Sequence, residues 1–181
     1  MLLPLSLLKT FVDVDTSVDT TAEALYSLGF GIESIHNDII DLEITPNRGD
    51  ALSIIGLARE YSAFTQNKLH IPFDKESISQ TTTNTKFNVS IATLHIPLYI
   101  GLVIEIESNN ASPKWIRDIL NIFNINPINT VVDITNISML LFGQPLHAFD
   151  CDSLYGSTLT LRDSKNNETL EILNGKTITL Q

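Results

Sequence analysis

Apolar residues predict helices in five stretches of this chain and alternate with polar ones in several others. Ser6 can cap a short helix carrying Leu7, Leu8 and Phe11, and Thr20 or Thr21 a second with Ala24, Leu25 and Leu28 on one face and Gly29 as its stop. Ile39–Ile44 alternates loosely and predicts a strand, which Thr45-Pro46-Asn47-Arg48-Gly49-Asp50 interrupts. Asp50 is placed to cap a helix burying Leu52, Ile55, Leu57 or Ala58, Ala63 and Phe64, with Arg59 and Glu60 turned to water. Residues 73–87 are polar and rich in serine and threonine, which predicts a linker between a domain over 1–72 and another over 88–181. Beyond it, Val89–Leu94 and Tyr99–Ile106 are β-branched and predict strands. Ser112-Pro113 reads as a helix start, followed by Trp115, Ile116, Ile119, Leu120 and Phe123 as its inner face. Thr130–Phe142 predicts another helix, stopped by Gly143. The runs TLTLR, TLEIL and KTITL predict three short strands, with Asn174-Gly175 as a type I′ hairpin turn between the last two. The order predicts an α+β protein: a small helical N-terminal domain, then a mixed α/β domain.

Composition narrows the classes. The 181 residues are 43% apolar and 18% charged, a globular balance. No apolar run approaches the ~20 residues of a membrane span. The opening has no basic stretch ahead of its apolar residues, as a secretory signal would. A single cysteine, Cys151, leaves no internal disulfide and points to a reducing, cytoplasmic setting. There is no CxxC, HExxH or glycine-rich phosphate loop. The net charge is −10, with 5 bases against 12 acids over residues 1–84 and 6 against 9 over 85–181. Such a chain does not hold nucleic acid by bulk charge, so any RNA contact must be local or lent by a partner.

Two stretches carry more than their periodicity. One is Glu43-Ile44-Thr45-Pro46-Asn47-Arg48-Gly49-Asp50-Ala51-Leu52-Ser53, continued by Gly56-Leu57-Ala58-Arg59-Glu60. The other is Val132-Asp133-Ile134-Thr135-Asn136, then Gly143-Gln144-Pro145-Leu146-His147-Ala148-Phe149-Asp150. In this order they resemble the β subunit of bacterial phenylalanine–tRNA ligase. The opening LSLLKTFVDVD and LYSLGFGIESI, Leu98-Tyr99-Ile100-Gly101, Ser112-Pro113-Lys114-Trp115 and Leu173-Asn174-Gly175 are similar to further landmarks of that family.

The resemblance implies an (αβ)₂ enzyme that attaches phenylalanine to its tRNA with ATP and magnesium. The α subunit holds the synthetic site, and the β subunit an editing site that hydrolyses misattached tyrosine. A pocket shaped for an apolar ring cannot strongly reject an isostere bearing one more hydroxyl, hence the second sieve. The chain would correspond to the start of the β subunit and the first half of its editing domain. An oligonucleotide-binding barrel, usual in the family near Ser34–Asp38, is missing at that point. The partners implied are the α subunit and tRNA(Phe). ATP and Mg2+ are expected for the whole enzyme and none bound to this chain. No residue here is expected to catalyse aminoacylation, and no metal ligand is expected.

By the same resemblance, His147 and Asn126 fall in the editing pocket. Histidine can move protons near neutrality and could orient the ester or the attacking water. Asn126 stands where an arginine is common, and asparagine cannot offset phosphate charge. Leu102, Gly49 and Ile137 also depart from the family's usual arginine, proline and tyrosine. Other polar groups read as structural: Asp50 as the cap of the next helix with Arg48 satisfying nearby carbonyls, Asp133 and Asn136 as hydrogen-bonding residues, Asp150 and Asp152 as solvated or caps. Trp115 reads as core. Lys114, Arg117, Arg162 and Lys165 form at most a weak phosphate-facing patch. Two other classes fit the sequence: a non-catalytic assembly or RNA-contact module, and a free-standing hydrolase that edits mischarged tRNA in trans.

Overall fold

The computed structural model describes residues 1–14, 17–72, 87–156, 158–172 and 175–181. Among these residues, five α-helices and seven strands confirm an α+β chain: β1 (Leu2–Pro4), α1 (Leu5–Phe11), α2 (Val18–Ser27), β2 (Gly31–His36), β3 (Ile39–Glu43), α3 (Ile54–Thr65), β4 (Asn88–Ala92), α4 (Lys114–Ile122), α5 (Thr130–Phe142), β5 (Thr158–Arg162), β6 (Thr169–Glu171) and β7 (Thr177–Thr179). The expected linker, 73–87, lies almost wholly outside the described residues.

The chain divides into two compact units, with one cut inside that linker, between Ser79 and Gln80, and two more beyond it. One comprises Met1–Ser79 with Glu107–Ala148, the other Gln80–Ile106 with Phe149–Gln181. Helices α4 and α5, expected in the second domain, therefore belong with the N-terminal residues. Packing gives the reason: Phe123, Leu141 and Phe142 join the main core, and the Phe142 ring meets Phe11 edge-on at 6.0 Å.

In the first unit, β1 and β2 flank β3 in an antiparallel sheet of order β1-β3-β2. This N-terminal part is thus not simply helical. Its core combines Leu3, Leu8, Phe11, Leu25, Ile40, Leu42, Ile54, Leu57 and Tyr61. Burying one such side chain contributes roughly 1.5–3 kcal/mol. The turn joining β2 to β3 is two residues, Asn37 and Asp38, with Asn37 in the left-handed region (φ 51°).

Three helix starts differ from expectation. Pro4, not Ser6, precedes α1. Ser17, not Thr20 or Thr21, caps α2 by accepting the Thr20 N–H at 3.2 Å. Ser53, not Asp50, caps α3 by accepting the Gly56 N–H at 3.2 Å. The α3 stripe turns accordingly: Ile54, Leu57, Ala58 and Tyr61 are buried, whereas Leu52, Ala63 and Phe64 are exposed.

The second unit is built differently. β4 and β5 pair in parallel, placing Val89 beside Leu159 and Ile91 beside Leu161, and β6 and β7 form an antiparallel hairpin. Gly175 sits in its turn with φ 76°. Asn174, the other half of the expected turn, lies outside the described residues. Tyr99–Ile106 is not a strand. Its β-branched residues suit a sheet, but no described strand pairs with them, and propensity does not replace a hydrogen-bonding neighbour. No described side chain of this unit is buried, and Leu94 and Ile100 are 100% and 81% exposed.

Candidate functional site

Helices α4 and α5, their connecting loop and the segment after α5 carry both residues that the resemblance assigns to an editing pocket. The local sequence fixes this region tightly. Asn129 caps α5 by accepting the Val132 N–H at 3.0 Å, and the Asn109 side chain accepts the Val131 N–H at 3.1 Å. The Thr130 N–H and hydroxyl both donate to the Asn110 carbonyl at 2.8 Å. Helix α5 spans its expected residues and ends at Gly143 with φ 73°.

Asp133 ties these pieces together. It is 0% exposed. One carboxyl oxygen accepts the Ser112 hydroxyl at 2.5 Å and the other the Ile128 N–H at 2.8 Å. The expected structural role of Asp133 is thus observed. Ser112 does not cap α4: Pro113 is the capping residue, and the serine hydroxyl is spent on Asp133. The loop from 124 to 129 is anchored at both ends, by the Ile125 N–H on the Leu120 carbonyl at 2.9 Å and by Ile128 on Asp133.

Asn126 projects from this anchored loop and is exposed. His147 lies in the extended segment after α5 and is also exposed. Both belong to the first unit. No hydrogen bond joins the two side chains among the described residues. Trp115, expected in the core, is 59% exposed, because the inner face of α4 centres on Ile116 and Leu120.

The Thr45–Glu60 motif proves architectural. Arg48 donates Nε to Asp50 Oδ1 at 3.1 Å and Nη2 to Asp50 Oδ2 at 2.9 Å, and pairs with Glu60 Oε2 at 3.0 Å. Its guanidinium also lies 5.1 Å from the Phe30 ring centroid. These hydrogen bonds raise the Arg48 pKa, and the bond from Arg48 lowers that of Asp50. A Cβ on Gly56 would lie 1.9 Å from the Asp50 carbonyl oxygen, so only glycine lets this turn rest on α3. A Cβ on Gly143 would lie 3.2 Å from Ser53 Cβ. The two informative stretches of sequence therefore meet where the end of α5 packs on the cap of α3. Sequence reasoning missed Ser53, whose signal was a hydroxyl three residues before Gly56.

Elsewhere the charges are engaged with one another. Asp150 accepts the Asp152 N–H at 3.0 Å and the Ser153 hydroxyl at 2.9 Å, a cap as expected. Lys114 pairs with Asp118 at 2.6 Å. Arg162 grips Glu168 through two bonds of 2.6 and 2.9 Å, holding the Glu168 carboxyl down to about 2. Among the described residues, no three His, Cys, Asp or Glu side chains converge as a metal site. No helix among them is long and apolar enough to cross a membrane.

Residues 96–181 match the family model of the B3/4 domain, a stretch that runs through both compact units. The chain is 39% identical over 142 residues to the phenylalanine–tRNA ligase beta subunit of Streptococcus thermophilus, covering 78% of this chain and 18% of that protein. It is 41% identical over 141 residues to the beta subunit of Fusobacterium nucleatum, covering 77% and 18%. Against that of Streptococcus pneumoniae it is 37% identical over 149 residues, covering 81% and 18%. With its B3/4 domain, the chain belongs to the family of phenylalanine–tRNA ligase beta subunits and spans 18% of the length of these relatives.

Proposed function

We propose that this chain acts within a phenylalanine–tRNA ligase, in complex with an α subunit that carries out the ATP- and magnesium-dependent attachment of phenylalanine to tRNA(Phe). Within that assembly the B3/4 residues contribute to hydrolytic removal of misattached tyrosine. The carrying observation is the 37–41% identity to beta subunits across most of the chain, together with the B3/4 match. In this reading water adds to the ester carbonyl, the ester bond breaks, and free tyrosine and the tRNA 3′ hydroxyl are released. His147 orients the ester or the water, and Asn126 hydrogen-bonds near the tRNA 3′ end from its anchored loop. ATP and magnesium enter through the other subunit, and no step here passes through them.

The test is hydrolysis of tyrosyl-tRNA(Phe), measured for the chain alone and with a family α subunit, in wild type and His147→Ala. The expected result is turnover above buffer with the α subunit present, reduced by about tenfold or more in the variant, the scale of a lost general acid–base contribution. Wild-type and variant rates that both equal buffer would sink the editing reading. A non-catalytic assembly module is the second reading, favoured by the absence of a buried side chain among the described residues of the second unit. It predicts stable binding to the α subunit with no hydrolysis.

A further inference from the structure

A groove of about 550 Å³ runs between α2 and β2 in the first unit, away from Asn126 and His147 in sequence and lined by none of the residues used above for editing. Asp19, Ala22, Glu23, Tyr26 and Ser27 form one wall, at the i, i+3, i+4, i+7, i+8 spacing of a single helix face. Ile32 and Ile35 of β2 form the floor. These two isoleucines are three residues apart, which in a regular strand would put them on opposite faces. The register shifts between Ile32 and Ser34, so that Ile32 pairs with Leu42 and Ile35 with Ile40. One extra residue on β2 thus returns both isoleucines to the face that α2 covers.

The groove is left open. β2 is the outer strand of its sheet. Tyr26, at its lip, is 68% exposed. Its charged lining residues, Asp19 and Glu23, are both acidic. We propose that this groove docks a short amphipathic helix of a partner protein, with aliphatic residues toward Ile32, Ile35 and Tyr26 and lysine or arginine toward Asp19 and Glu23. A helix is favoured over an added strand because the extra residue interrupts the ladder at the strand that would have to accept it. A protein is favoured over RNA because the acidic rim repels phosphate. The volume lies within the roughly 300–1,000 Å³ of ordinary binding clefts, and the layout follows helix-in-groove recognition.

The test uses the full chain and two fluorescein-labelled peptides with one leucine pattern, carrying either lysine or glutamate at the polar positions. Anisotropy at physiological salt is expected to show saturable binding of the lysine peptide and none of the glutamate peptide. Asp19→Lys with Glu23→Lys is expected to weaken binding by about tenfold or more, and Tyr26→Ala by several-fold. Glu105→Lys with Glu107→Lys changes the net charge equally but elsewhere, and is expected to leave affinity within about twofold. Circular dichroism checks that each variant keeps its helices. The proposal is overturned if the lysine peptide does not saturate, if the groove variants bind as well as wild type, or if the Glu105/Glu107 variant loses as much. Because no catalysis is read, failure of the editing assay leaves this result intact.

Discussion

Replacing Gly56 by alanine opposes two physical effects of known size. Gly56 lies inside α3, where glycine is about 1 kcal/mol worse than alanine. On helix propensity alone, the substitution stabilises. The surroundings say otherwise: the new Cβ would sit 1.9 Å from the Asp50 carbonyl oxygen and 2.9 Å from its carbon. Relief needs a shift of more than 1 Å by a backbone segment with little freedom. Ala51 beside it is fully buried, and Arg48 holds Asp50 through two hydrogen bonds. Forcing a methyl group into such a place costs about 1–3 kcal/mol and sometimes more. Here it also disturbs the Ser53 cap, worth about 1 kcal/mol. The expected net effect is a loss of about 2 kcal/mol. Urea unfolding followed at 222 nm is the assay, since all five helices belong to the first unit. Gly49→Ala is the control, because its Cβ would meet nothing within 4 Å. It is expected to be neutral or stabilising by about 0.5 kcal/mol. A Gly56→Ala midpoint at or above wild type would refute the packing argument.

Asp133→Ala leaves the Ser112 hydroxyl and the Ile128 N–H without their acceptor and is expected to cost about 2–4 kcal/mol. Asp133→Asn still accepts from Ile128 and should lose about half as much in the same urea titration. Arg48→Ala removes a partly exposed pair and is expected to lower the urea midpoint only slightly. Arg48 lowers the Asp50 pKa, so this pair's contribution is present above the ordinary aspartate value of 3.8 and fades as pH falls below it. That portion of acid sensitivity should vanish in Arg48→Ala, and an unchanged acid-unfolding curve would contradict it. The Glu168 carboxyl, held at about 2 against an ordinary 4.5, should return toward 4.5 in Arg162→Gln when followed by carbon-detected NMR titration. By the same sign, its stabilising effect is full above pH 4.5 and is lost as pH falls toward 2.

The elements legible in the sequence were those with one dominant signal. Helix α5 had a long apolar run and a terminal glycine, and its limits match. The tail strands had alternation and turn residues. Helix starts were harder, since serine, threonine or aspartate occurs several times within a few residues of each. Packing of the first turn decides which one caps, as it does for Ser53 over Asp50. β2 was missed because its extra residue breaks the alternation of GIESIH. Trp115 was read as core together with Ile116 and Leu120, because all fit one broad helical stripe, but the buried pair is Ile116 with Leu120 and Trp115 lies at the stripe's exposed edge. Neither Asn126 nor His147 stood out by pattern, because a side chain on an exposed loop leaves no periodic trace; the resemblance alone pointed to them.

Much of what makes this chain recognisable is scaffolding. Arg48, Asp50, Gly56 and Glu60 form one clamp, and Gly143 seats the end of α5 against the residue that caps α3. Each of these positions is fixed by a steric or electrostatic demand that few other residues meet. Asn126 and His147 are both exposed, and the backbone of the Asn126 loop is held by other residues. Family membership and the proposed editing role can therefore be tested separately. Substitution at the scaffold should move stability, and substitution at the two exposed residues should leave stability near wild type. His147→Ala and Asn126→Ala are expected to unfold within about 0.5 kcal/mol of wild type, the usual range for surface positions. If either instead lowers the urea midpoint as far as Gly56→Ala does, the loops are part of the scaffold, and the departure from arginine at position 126 must be explained by packing, not by chemistry at the tRNA end.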